Sequence, residues 1–129
     1  LGITVVAYSP LGRGFLTGKI TSLDELAPND WRRNNPRFQG EAFKQNMRIV
    51  AEIERIAATK GATPAQIALA WILAQGEDIV PIPGTRHIHY LEENVASAEI
   101  ALSDDELARL NALPVPVGDR YVDMSLIGG

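Results

Sequence analysis

The sequence contains no cysteine. Disulfides, thiol nucleophiles and zinc sites built on thiolates are therefore excluded, and a reducing compartment is permitted. It also lacks any long run of Lys or Arg, and with a formal net charge of −4 it has no concentrated basic stripe of the kind that binds nucleic acid. No apolar run reaches the ~18 residues needed to span a bilayer, and the first residues lack the charged-then-apolar pattern of a signal peptide. The expected setting is cytoplasmic, an expectation that does not rest on this N-terminus.

What remains is an ordinary globular composition, 46% hydrophobic and 22% charged, sufficient for a sizeable core. The 129 residues suit one compact domain but fall well short of the ~250 of a complete eight-stranded α/β barrel. Leu1 opens the chain without an initiating Met and runs directly into a strand pattern, so further upstream sequence is expected.

Residues 3 to 8, Ile-Thr-Val-Val-Ala-Tyr, are short and β-branched, the pattern of a strand buried on both faces. Gly12, Gly14 and Gly18 end it, and residues 19 to 40, with Pro28, Pro36 and Asn34-Asn35, read as a long irregular loop of the kind that covers sites. Phe43, Met47, Val50, Ile53 and Ile56 then recur at helical spacing, predicting an amphipathic helix from Glu41 to Lys60 with Gly61 as its stop. Thr63-Pro64-Ala65-Gln66 has the form of a capping box with proline at the first helical position, opening a nearly all-apolar helix to about Gln75 in which Trp71 is expected in the core.

Ile79 to Pro83 reads as a second short strand, although Pro81 removes a ladder donor. A helix from about Ile88 to Ala98 follows, with Ile88, Leu91, Val95 and Ala98 on one stripe, and Ser103-Asp104-Asp105-Glu106 caps a last helix that Pro114 ends. The tail from Val115 onward has no period. Alternation of buried strands with helices predicts a parallel α/β architecture. Two strands alone leave long unpaired edges, so the chain is expected either to associate with further material or to form part of something longer.

Two constellations carry chemistry. The first is Tyr8-Ser9-Pro10-Leu11-Gly12-Arg13-Gly14, directly after the first strand, where a glycine-rich turn lets backbone N–H groups approach a phosphate while Ser9, Arg13 and Thr17 add donors. On spacing alone, an anion site and a plain turn with a solvated Arg13 weigh about equally. The second is Gly84-Thr85-Arg86, followed by Glu93-Asn94 inside the next helix. Arg86 and Thr85 could hold a phosphate and Glu93 with Asn94 an adenine edge, but taken alone the motif reads more readily as solvated surface. His87 and His89, two apart, suit neither metal ligation nor catalysis, and no metal site is expected. Tyr121, in the aperiodic tail, is expected to pack.

Five blocks in order, Val5 to Gly18, Pro36 to Gln39, Thr63 to Trp71, Pro81 to Arg86 and Leu91 to Asn94, together resemble the aldo-keto reductases. The likeness is greatest to the branch of auxin-induced-type proteins and perakine reductase. It implies the C-terminal part of a (β/α)8 TIM barrel, its seventh and eighth strands with their helices, with residues 1–129 forming part of a single barrel domain whose N-terminal part is a missing partner. It also implies NADPH as cofactor and reduction of a small aldehyde or ketone to an alcohol.

By the same resemblance Tyr8 stacks on the nicotinamide, Ser9, Leu11 and Gly12 line the pyrophosphate, beside which Arg13 is a further cofactor-binding candidate, Gly84, Thr85 and Arg86 hold the 2′-phosphate, and Glu93 and Asn94 hold adenine. Tyr90, where related sequences often carry a basic residue, could stack on adenine, so the preference for NADPH rests mainly on Arg86. The loop from 19 to 40 folds over cofactor and substrate and offers Trp31 and Phe38 as substrate contacts. The family's catalytic tyrosine, lysine, aspartate and histidine all lie on earlier strands, and none maps to this segment, which by itself is expected to be inactive. The alternatives are a non-catalytic nucleotide-binding regulatory subunit of the same fold and a self-standing interaction domain.

Overall fold

The computed structural model describes residues 2–126. Strand β1 (Val5–Ala7) pairs in parallel with β2 (Ile79–Pro81), with Val5 opposite Ile79 and Ala7 opposite Pro81. The missing N–H of Pro81 is bypassed one residue later, where Ile82 N donates to the Ala7 carbonyl at 3.2 Å. Between the strands lie helices α1 (Gly40–Lys60) and α2 (Pro64–Leu73); α3 (Ile88–Ala96) and α4 (Asp104–Asn111) follow.

The helix ends follow from local chemistry. Gly61 adopts a left-handed φ of 62° and donates to the last carbonyls of α1, as a residue without Cβ does at little cost. At α2, Thr63 and Gln66 form the reciprocal capping box expected of them, and Ser103 with Glu106 does the same at α4. Helix α2 ends at Leu73, short of the expected Gln75. Lys60 Nζ reaches Glu106 at 2.8 Å, tying the end of α1 to the start of α4.

The core has two parts. Ile49, Ile53 and Ile56 of α1 meet Ile67 of α2 and Leu110 of α4, while Phe15, Ile20, Leu26, Phe38 and Val50 form a second cluster beneath the loop. Each such side chain contributes about 1.5–3 kcal/mol on full burial. The loop from 19 to 40 is not irregular. Three 3-10 turns, Leu23–Glu25, Trp31–Asn34 and Pro36–Phe38, each begin with a side chain that accepts a backbone N–H, from Ser22, Asp30 and Asn35. These Ser and Asx caps satisfy the backbone where no long helix does.

The expectation that β1 is buried on both faces is not met: Val5 is 51% and Val6 57% exposed. A two-stranded sheet covers one edge of each strand and little of either face. The apolar stripe of α3 is likewise open, with Ile88, Leu91 and Val95 all exposed, while Thr63 and Gln66 of α2 hydrogen-bond to Glu93 on the same helix. Trp71 is half-buried and donates through Nε1 to Asn111 Oδ1 at 2.8 Å, so it links α2 to α4 at the rim of the core.

Candidate functional site

Parallel pairing decides where the two chemical motifs meet. Because Ala7 lies opposite Pro81, the segments beginning at Tyr8 and Ile82 leave the sheet side by side at the carboxyl ends of the strands. That edge is where parallel α/β folds place ligands.

A cleft of about 600 Å³ opens between them, within the size range of small-molecule and cofactor sites. Tyr8, Ser9, Leu11 and Arg13 line it from one side, and Gly84, Thr85, Tyr90, Glu93 and Asn94 from the other. Of the residues expected at the nucleotide, Gly12 and Arg86 are not on its wall. Gly12 lines a neighbouring, smaller cavity instead. Arg86 is exposed at the mouth of the turn and makes no hydrogen bond or ion pair among the described residues.

Each wall is held by identifiable contacts. On the first, Gly12 N donates to the Ser9 carbonyl at 3.0 Å and Gly14 N to the Leu11 carbonyl at 3.1 Å, closing two successive turns in which Ser9 and Arg13 take left-handed φ values of 55° and 62°. Such conformations cost non-glycine residues roughly 1–3 kcal/mol each and gather at functional sites. On the second, Glu93 is fixed from α2. Thr63 Oγ1 donates to Glu93 Oε1 at 2.7 Å, and Gln66 Nε2 donates to the Glu93 carbonyl at 3.0 Å. The capping box of α2 thus also positions the carboxylate on α3. Thr85 Oγ1 accepts from His87 N at 3.1 Å, ordering the turn into α3.

The structure adds residues that sequence reasoning passed over. Lys19, immediately after the glycine-rich turn, lines the cleft and donates from Nζ to Tyr90 Oη at 2.6 Å. Its signal was a lone cation next to Gly18, too weak to single out. Arg32 also borders the cleft, but its charge is taken up by Asp30, which accepts from Nη2 at 2.6 Å. Those hydrogen bonds from Arg32 pull the Asp30 carboxyl down to about 2. Thr17 spends its hydroxyl on the Gly14 carbonyl at 2.6 Å.

The tail, which had no period, docks onto this region. Val117 N donates to Asn46 Oδ1 at 2.7 Å, Asn46 Nδ2 returns a bond to the Val117 carbonyl, and Arg37 Nε donates to the Gly118 carbonyl at 3.1 Å. Arg120 then donates to the Tyr8 carbonyl at 3.2 Å and lies 4.9 Å over the Tyr8 ring. Tyr121 does more than pack. Its hydroxyl lies 3.4 Å from Tyr8 Oη, and a hydrogen bond donated by Tyr8 to its phenolate form, with the nearby Arg120 charge, lowers its pKa against an opposing effect of burial. Of the two expected substrate contacts, Trp31 is exposed and stacks on Arg13 at 4.8 Å. Phe38 is 1% exposed and meets Phe15 edge-on at 5.1 Å, which makes it first a core residue.

Residues 1–114 match the model of the Aldo/keto reductase family. The chain belongs to this family. Among its relatives, aldo-keto reductase str7 of Strobilurus tenacellus is 50% identical over 128 residues, covering 96% of this chain and 38% of that protein. Aldo-keto reductase yakc of Schizosaccharomyces pombe, whose name carries NADP(+), is 53% identical over 102 residues, or 79% of this chain and 30% of that protein. A probable aldo-keto reductase 1 of Glycine max is 46% identical over 119 residues, covering 92% and 34%.

A solved thermostable aldo-keto reductase, Tm1743 in complex with the inhibitor epalrestat, superposes with a TM-score of 0.56 at 33% identity, covering 88% of this chain and 30% of that one. The α/β arrangement described above is therefore part of an aldo-keto reductase barrel. The chain spans about a third of the length of the curated relatives it matches, between 30% and 38%. This explains the open faces of β1: the family's barrel surrounds its strands with others, and the described residues carry two of them.

Among the described residues no three His, Asp or Glu side chains gather as metal ligands, and no helix is long and apolar enough to cross a membrane. His87 and His89 are exposed at the start of α3, their rings 5.6 Å apart.

Proposed function

We propose that this segment is the cofactor clamp of an NADPH-dependent aldo-keto reductase, contributing the seventh and eighth strands of its barrel. The observation that carries the reading is the cleft itself. Two loops far apart in sequence, each resembling a nucleotide-binding block of the family, form its opposite walls. The donors suit a dinucleotide. The strained turn at Ser9 and Arg13 and the Lys19 ammonium provide for a pyrophosphate, Glu93 and Asn94 present a carboxylate and an amide for an adenine edge, and exposed Arg86 with Thr85 is available to a 2′-phosphate at the mouth. Tyr8 offers a ring at the end of β1 for the nicotinamide.

Bound NADPH supplies the hydride that takes a small aldehyde or ketone to the alcohol. In this reading the proton-transferring tyrosine and its partners lie in the N-terminal part of the barrel, and this segment orients the cofactor. A cytoplasmic setting goes with it.

The test is nucleotide titration of the full-length protein and its Arg86→Ala variant, with carbonyl reduction followed in parallel. Arg86→Ala is expected to weaken NADPH binding about tenfold or more while leaving NADH binding nearly unchanged, because only NADPH carries the phosphate. Equal loss for both nucleotides would remove Arg86 from that role. Tight NADPH binding without turnover of any aldehyde would favour a regulatory subunit over an enzyme.

A further inference from the structure

Tyr8 stands between two cavities, lining both the cleft and the smaller cavity beside it. Of the two, Arg120 borders only the smaller one. From that side its guanidinium lies 4.9 Å over the Tyr8 ring and donates to the Tyr8 carbonyl at 3.2 Å. One face of the ring is therefore taken by a cation, which leaves the other for a ligand in the cleft.

Arg120 does not act alone. Arg13 and Arg37 reach the wall of the same cavity, and among the described residues none of the three forms an ion pair. Each gives a hydrogen bond to a backbone carbonyl, Arg13 to that of Arg120, Arg37 to that of Gly118 and Arg120 to that of Tyr8. Such bonds hold the guanidinium groups in place without neutralising them. Their charges are felt locally: burial lowers the Arg37 pKa first, and the Arg120 and Arg13 charges lower it further, with Asp119 offsetting them in part. Guanidinium groups stay protonated through the physiological range. The far side of Tyr8 thus carries a permanent positive field.

That field bears on one property of the ligand proposed for the cleft. Hydride donation leaves a nicotinamide ring with a positive charge that the reduced ring lacks, while the phosphates, riboses and adenine are the same in both forms. A cation behind Tyr8 therefore tells the two apart through the nicotinamide alone. Stacked aromatic rings have centroids ~4.5–7 Å apart, so a nicotinamide on the open face of Tyr8 would stand roughly 10 Å from the guanidinium. Across partly buried protein, and allowing for screening by salt, repulsion at that range amounts to about threefold to tenfold in affinity.

We propose that Arg120, assisted by Arg37 at the same wall, is a positioning residue that makes this site discriminate the redox state of its cofactor: held against the far face of Tyr8, it repels oxidised nicotinamide and so favours NADPH over NADP+. The proposal rests on the reading of the cleft as a cofactor clamp with Tyr8 beneath the nicotinamide. Its consequence is exchange. The spent cofactor leaves faster, and the site takes the reduced one from a mixed pool. The same repulsion makes hydride transfer on the protein less favourable by an equal factor, which release of NADP+ recovers, so the overall equilibrium of the reaction is untouched.

The test is the ratio of two dissociation constants for the full-length protein, with NADPH titrated by its fluorescence and NADP+ by calorimetry. Arg120→Gln is expected to lower the ratio of the NADP+ to the NADPH constant about threefold to tenfold, with NADPH affinity within about twofold of wild type. Release of NADP+ in stopped flow should slow by a similar factor. Arg120→Lys keeps the charge and should keep most of the ratio. Arg86→Ala acts on the 2′-phosphate common to both forms, so it should weaken both and leave the ratio alone.

Loss of a merely structural contact at Arg120 would move both constants together. Such a parallel change, or an unchanged ratio in Arg120→Gln, overturns the proposal. Should that variant not fold, Arg37→Gln removes a second charge from the same wall; a fall in the ratio of about twofold supports the proposal and an unchanged ratio overturns it. If the wild type binds neither nucleotide, the cofactor reading fails and this inference with it. Tight binding of both forms, with one ratio shared by wild type and Arg120→Gln, removes the inference and leaves the cofactor reading standing.

Discussion

Lys19 and Tyr90 join hands across the cleft: the ammonium donates to the phenol oxygen at 2.6 Å and sits 4.0 Å from the ring centroid. The contact links the start of the loop over the site to α3, so it spans the two walls between which a nucleotide would lie.

Removing the Tyr90 ring should therefore loosen a bound nucleotide. In the full-length protein Tyr90→Ala is expected to weaken NADPH binding about threefold to tenfold, the weight of a surface cation–π contact with its hydrogen bond. Most of the change should appear as faster release in stopped-flow fluorescence. Tyr90→Phe keeps the ring and should stay closer to wild type; identical release rates for all three proteins would rule out a strap at this position.

Thr63 serves two elements through one hydroxyl, accepting from Gln66 N at 3.2 Å and donating to Glu93 Oε1 at 2.7 Å. Thr63→Ala should cost about 1–2 kcal/mol of stability in chemical denaturation, as expected for loss of an N-cap. Because Glu93 is freed as well, NADPH affinity should fall with it, whereas Thr63→Ser should retain both. A Thr63→Ala protein with lowered stability and unchanged affinity would show that Glu93 needs no positioning from α2.

Asp30 should titrate far below an ordinary aspartate. Hydrogen bonds from Arg32 hold its carboxyl at about 2, against an unperturbed value of 3.8. A depressed folded-state pKa contributes stability that is fully present above the unfolded value and is lost as pH falls through the folded one. The stabilisation should thus be complete at neutral pH and fade between roughly pH 4 and 2. The pair is partly exposed, so its size should be below about 1 kcal/mol. Asp30→Asn keeps an acceptor for Arg32 N and isolates the charge. A carboxyl titration by NMR with a midpoint near 4 would contradict the assignment.

Gly118 adopts a φ of +95°, and a Cβ there would stand 2.9 Å from the Pro36 carbonyl carbon and 3.0 Å from Arg37 N. Both the angle and the backbone contact oppose any side chain. Gly118→Ala should detach the tail, at a cost of about 1–3 kcal/mol. Hydrogen exchange at the Val117 amide, now bonded to Asn46 Oδ1, should accelerate while the interior of α1 is unchanged. Unaltered protection at Val117 would mean that the tail accommodates the methyl group.

Much of the fold was legible because its signals are local. The Thr63 and Ser103 capping boxes and the left-handed Gly61 each concern donors and acceptors within a few residues, and each formed as read. The loop from 19 to 40 was misread as irregular because side-chain caps at Ser22, Asp30 and Asn35 leave no periodic pattern. The two loop motifs were visible as motifs, yet spacing alone could not separate an anion site from a plain turn. Their meeting at one cleft is a consequence of the register between Ala7 and Pro81.

The sequence by itself determined the helices, the stop of α1 at Gly61 and the glycine-bearing loops after the two strands, since these depend on short-range hydrogen bonding and on hydrophobic period. Only the tertiary structure decided that Lys19 meets Tyr90, 71 residues away, and that Arg120 covers Tyr8 at a separation of 112. It also decided that Phe38 belongs to the core and that Asn46 anchors a tail with no periodicity of its own. Contacts of that kind are fixed by the path of the whole chain, through hydrogen bonds from single side chains to backbone carbonyls, and such bonds impose no repeat on the residues that make them.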